Sequence, residues 1–110
     1  MTRAWLIAVL LQAGIATAQQ SPAEIRPEQV AQYRVKLEAG CVTDAKAGGL
    51  SQQTAQAMCS CWGKSLGQSV TEPEWQAATF HALKRDEAAE SQVLVAHVRT
   101  AARLCASVGR

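Results

Sequence analysis

Cys59-Ser60-Cys61 lies in an apolar segment with helical spacing, and it restricts the possible folds more than any other stretch of the chain. Two residues turn an α-helix by about 200°, so side chains separated by a single residue point to nearly opposite sides. One helix therefore offers two sulfurs to two different neighbours. Cys41 and Cys105 stand on either side of the pair in sequence, so two bridges can tie this helix to the segments before and after it. Four cysteines allow three pairings. Joining Cys59 to Cys61 conflicts with helical geometry, because their side chains diverge. Cys41 with Cys59 and Cys61 with Cys105 is the favoured arrangement, since Cys41 and Cys59 flank the short connection between the first two predicted helices. The swapped pairing stays open beside it.

The N-terminus reads as an export signal. Arg3 supplies a positive start, Ala4 to Leu11 an apolar run, Gly14 a break, and Ala16-Thr17-Ala18 a small-x-small cleavage site, which places the cut between Ala18 and Gln19. Residues 1–18 are then a cleaved secretory signal peptide and residues 19–110 one domain. The apolar run is shorter than the roughly 20 residues a spanning helix needs, and no later stretch approaches that length, so no membrane association is expected after cleavage. An even cysteine count behind a signal peptide implies a disulfide framework in an oxidising compartment, periplasmic or secreted. The framework suits a 92-residue domain, which buries too little apolar surface to be stable by a wide margin.

Helix signals succeed one another along the mature chain. Residues 19–25 read as a polar lead-in, with Ser21-Pro22-Ala23-Glu24 resembling a capping box cut short by Pro27. Pro27 suits the first turn of a helix whose stripe is Val30, Tyr33, Leu37 and Cys41, with Gly40 as its predicted C-cap and Val42 to Gly49 as a loop. Ser51 caps a second helix, from about Gln52 to Leu66, with a stripe of Ala55, Met58, Cys59, Trp62 and Leu66. Inside it Gly63 points to a close approach of another backbone, and Gly67 ends it. Thr71-Glu72-Pro73-Glu74 is a capping box, with Val70 placed to staple against Trp75, and it opens a third helix ending near Lys84-Arg85. Asp86 caps a fourth, to about Ser107, with acids at its start, Arg99 and Arg103 near its end, and Leu94, Val98, Ala101, Cys105 and Val108 on one face. The fold class is all-α, a small single-domain bundle of about four helices stapled by two disulfides.

Chemistry is less legible. A net charge of +2 with scattered lysines and arginines offers no clustered positive surface, so nucleic acid is not an expected partner. Cys59 and Cys61 could serve thiol-disulfide exchange, but Met58, Trp62 and Ala55 around Cys59 make a setting that raises a thiol's pKa. With His81 or His97 they could bind copper or zinc, yet the spacing matches no zinc pattern and the histidines fall on different helices. Haem attachment needs a Cys-x-x-Cys-His run that is absent. Ser60, Ser65 and Ser69 lack a nucleophile-elbow context, and capping accounts for Glu72 and Glu74. No catalytic residue, cofactor or metal ligand is assigned. Trp62, Trp75 and Phe80 read as core, and any tryptophan left exposed becomes a candidate binding anchor.

In outline the chain resembles small exported bacterial proteins with a Cys, Cys-x-Cys, Cys helical framework and a Thr-x-x-Glu helix start after the pair. The resemblance covers Cys41 to Cys105 and implies a scaffold, with no functional residue attached. The expected function is a non-catalytic exported helical protein that binds another protein, for example as an inhibitor or immunity-type module. The alternative is a thiol-disulfide oxidoreductase or metal-binding protein using Cys59 and Cys61.

Overall fold

The structure, a computed structural model, describes residues 21–108. The expected signal peptide, residues 1–18, and the expected cleavage point between Ala18 and Gln19 lie outside the described residues. A 3-10 turn at Pro22–Glu24 precedes four α-helices: α1 Pro27–Ala47, α2 Gln52–Ser69, α3 Glu72–Leu83 and α4 Glu87–Cys105. Among the described residues there is no strand. The all-α, four-helix class expected from the spacing is the class observed.

Three of the helix starts arise from side chains that satisfy the orphan N–H groups of a first turn. Ser51 Oγ accepts from Thr54 N at 3.2 Å, Thr71 Oγ1 from Glu74 N at 3.3 Å, and Asp86 Oδ1 from Ala89 N at 3.1 Å. The capping box at Thr71 closes because the Thr71 N–H donates in turn to Glu74 Oε1 at 2.9 Å. Val70 and Trp75 are both buried beside it. Residue 85 takes a left-handed φ of 57°, which lets the chain reverse between α3 and α4 in three residues.

One boundary differs substantially from expectation. The first helix does not stop at Gly40, and residues 42–47 are helical rather than looped. A glycine within a helix costs only about 0.5 to 1 kcal/mol relative to alanine, which a continuing buried stripe offsets. Leu37, Cys41 and Ala45 recur every four residues and are all partly buried, so the stripe runs straight through Gly40. The stop is set by Gly49, whose φ of +103° ends the helical path. The second helix also runs past Gly67, to Ser69. The lead-in is less polar in use than in composition. Ile25 is buried, and its carbonyl accepts from Gln76 Nε2 on α3 at 3.2 Å.

The helices form a ring. α1 packs on α2, α2 on α4, α4 on α3, and α3 more lightly back on α1, while across the diagonals α1 to α4 and α2 to α3 no Cα atoms come within 8 Å. Tyr33, Leu66, Val70, Trp75, Ala78, Leu94 and Ala101 make the buried centre, with Tyr33 and Trp75 edge to face at 6.4 Å. Each large apolar side chain there stabilises the fold by about 1.5 to 3 kcal/mol. α1 sits close on α2 because two glycines leave room for it. A Cβ on Gly63 would lie 2.9 Å from Glu38 Oε1, and one on Gly67 2.5 Å from Arg34 Nη2. The close approach expected at Gly63 is therefore made by a side chain of α1 rather than by a backbone. Arg34 continues across Gly67 to place its guanidinium carbon 4.7 Å from the centre of the Trp75 ring.

Candidate functional site

The two cysteines of α2 divide its neighbours between them. Cys59 is bonded to Cys41 on α1 and Cys61 to Cys105 on α4, each with 5.8 Å between Cα atoms. The 200° between residues 59 and 61 thus becomes two helices held to opposite flanks of a third. Cys59 and Cys105 are buried and Cys41 and Cys61 partly so, and among the described residues no cysteine is free. Cys59 and Cys61 are consequently not joined to each other.

Because α1 and α4 are each tied to α2 and their backbones do not approach closely, a groove remains between them. Its volume is about 750 Å³. Tyr33, Leu37, Gly40, Cys41 and Ala45 of α1 form one wall, Ala102 and Cys105 of α4 the other, and Met58 and Trp62 of α2 lie at its base. Met58 and Trp62 were expected in the core, yet both are only half-buried, since the neighbours that would cover them stand apart. Trp62 is thus a tryptophan with an accessible face. Gly40 adds no side chain to its wall, and a Cβ built there meets nothing within 4 Å. The groove is larger for its presence.

Polar groups in the groove are few. The Tyr33 hydroxyl donates to Glu90 Oε2, linking α1 to α4 at one end. Burial, then the adjoining carboxylate, pushes the Tyr33 pKa far above the usual phenol value, so the phenol remains a donor throughout the ordinary pH range. Lys36 and Asp44 line the groove from exposed positions on α1. Apolar walls with a small number of placed polar groups, at a volume of several hundred cubic ångströms, are the usual make-up of a ligand site.

Compared with protein-family models, curated proteins and solved structures, the chain matches none.

The histidines take separate roles. His81 lies beside its neighbour Phe80, ring centres 5.4 Å apart. His97 on α4 has Nδ1 3.1 Å from Ser69 Oγ and Nε2 3.0 Å from Glu74 Oε2. A carboxylate only accepts, so Nε2–H donates to Glu74, and in the neutral ring Nδ1 accepts from the Ser69 hydroxyl. Spacing did not reveal this chain, because Ser69 and Glu74 flank one turn while His97 reaches them from another helix. Capping was the reading for Glu74, and it holds for one carboxylate oxygen only. Bonds from the Thr71 N–H and from His97 lower the Glu74 pKa to about 2. Similar residue types perform acyl transfer where oxyanion donors and a substrate cleft adjoin them. Neither Ser69 nor His97 lines the groove. Here the trio clamps the turn between α2 and α3 onto α4. Among the described residues no group of three or more histidine, cysteine or acidic side chains is arranged to hold a metal ion.

Proposed function

We propose that the protein is a non-catalytic binding module of an oxidising compartment, exported by residues 1–18, which holds a partner through a preformed surface. The observation that carries this reading is that the groove's two walls are bonded to the same helix while their own backbones stand apart, bridged at the side-chain level by Tyr33 and Glu90. A cleft fixed before its occupant arrives loses less ordering entropy on binding. Trp62, a residue type enriched at binding hot spots, lies at its base. Both disulfides fit an oxidising location, and among the described residues no helix is long and apolar enough to cross a membrane. A protein partner of the inhibitor or immunity kind would use the same device, inserting an apolar side chain between α1 and α4.

The test is a neutral apolar reporter, N-phenyl-1-naphthylamine, titrated into the oxidised protein. Its fluorescence rises saturably at one site per chain, and Gly40→Trp, which fills the groove from its wall, removes the rise while the variant still melts cooperatively. Absence of saturable binding to the unaltered protein, or full binding by Gly40→Trp, overturns the reading.

A further inference from the structure

Resting on that reading of the groove, we infer that its occupant is an organic cation with an apolar body, seated with the charge against Glu90. Glu90 has no cationic partner among the described residues. Its Oε2 accepts from the Tyr33 hydroxyl, and among the described residues no lysine, arginine or histidine nitrogen lies within 4 Å of either carboxylate oxygen. Glu90 is half-buried, in a lining whose other charged residues, Lys36 and Asp44, are exposed. A charge in such a place interacts more strongly with an opposite charge than it would in water, and its desolvation cost falls when one is supplied. Tyr33 is buried and bonded, so Glu90 is held in position before any ligand enters. Its second oxygen, Oε1, is left to receive a donor.

The remaining lining fits the same ligand. Trp62 and Tyr33 are aromatic members of the lining, a residue class that attracts cations, and Met58 adds a polarisable side chain. Leu37, Ala45, Ala102 and two half-cystines of different bridges, Cys41 and Cys105, supply apolar wall for the body of the molecule. Asp44 adds a second negative charge along α1, eleven residues from Tyr33, or about 16 Å of helix. Lys36 is the one basic residue among the lining residues. It is exposed, with no ion pair to Glu90, so its flexible ammonium keeps its hydration and neutralises little of the interior. Asp44 is exposed like Lys36 and is screened in the same way, so the half-buried Glu90 is the charge that sets the sign of the groove. An anionic amphiphile would bring its charge to a carboxylate with no compensating cation, whereas an alkylammonium gains a charge-assisted hydrogen bond there.

Three ligands of one chain length separate the possibilities: decylammonium, decanol and decanoate, each displacing N-phenyl-1-naphthylamine from the oxidised protein at neutral pH and below aggregation. The expected order is decylammonium tightest, by about tenfold over decanoate, the factor a net gain of one charge-assisted bond produces. Glu90→Gln brings the two within about twofold of each other and leaves decanol unchanged, since the carboxamide keeps the shape and loses the charge. Equal binding of all three ligands overturns the inference while leaving the groove as a binding site. So does a preference for decanoate that Lys36→Ala removes. The comparison on the unaltered chain decides the matter even where Glu90→Gln folds poorly. Failure of the reporter to bind at all removes both this inference and the reading beneath it.

Discussion

His97 on α4 holds Glu74 on α3 with 3.0 Å between Nε2 and Oε2, and the same carboxylate closes the cap of its own helix through its other oxygen. The ionised form is therefore favoured in the folded state, and the Glu74 pKa is lowered from 4.5 to about 2. A group whose folded pKa is depressed contributes stability that is complete above its unfolded pKa and disappears as pH falls through the folded one. Acid sensitivity from this residue falls between about pH 4.5 and 2. Glu74→Gln keeps a capping amide and loses the charge, so its melting temperature should lie below that of the unaltered chain at pH 6 and converge with it near pH 2. Melts followed by circular dichroism across that range check this. A gap independent of pH would show that the charge at Glu74 is not what matters.

Two glycines of α1 and its C-terminal turn should respond in opposite ways to one methyl group. Gly40 is helical with open space beyond its Cα, so Gly40→Ala should stabilise the fold by about 0.5 to 1 kcal/mol through lower unfolded-state entropy. Gly49 has φ +103°, and Gly49→Ala should destabilise it by about 1 kcal/mol or more. Urea unfolding midpoints for the two variants supply the comparison.

Removing the bridges should cost unequal amounts. Cys41 and Cys59 are 18 residues apart and Cys61 and Cys105 are 44 apart. Loop-closure entropy predicts about 3 kcal/mol for the first and about 4 kcal/mol for the second. Paired serine variants, each lacking one bridge, should therefore differ by about 1 kcal/mol in unfolding free energy, with the Cys61/Cys105 variant the less stable.

Arg34 and Gly67 should be energetically coupled. Arg34→Ala removes a cation–π contact of about 0.5 to 1 kcal/mol together with packing of the side-chain stem. A methyl on Gly67 displaces the guanidinium from its path toward Trp75. In a Gly67→Ala background the Arg34→Ala cost should fall to near half or less, and a double-mutant cycle reads this as non-additivity. Strict additivity would mean that Arg34 reaches Trp75 by another route.

How much of the structure is legible in the sequence depends on how far apart the deciding residues lie. The capping residues Ser51, Thr71 and Asp86 act on N–H groups three positions away, so their helices are legible from short stretches. Gly40 misleads because a glycine's effect on a helix depends on whether its neighbours bury the next turn. The link from Ser69 through His97 to Glu74 joins three helices and depends on their register. The groove is the least legible feature of all. It is a space between α1 and α4, and no pattern of apolar residues records which pair of helix backbones will stand apart. Trp62 reads as core in the sequence for that reason, and only the standing-apart of two walls makes it a surface.

The bridges also determine what a protease can do to this chain. The connection between α1 and α2 lies inside the segment closed by Cys41 and Cys59, and the turns joining α2 to α3 and α3 to α4 lie inside the one closed by Cys61 and Cys105. A single cut at any of the three turns therefore releases no helix. The severed pieces stay covalently one molecule, so scission of a turn becomes damage that costs the chain no helix.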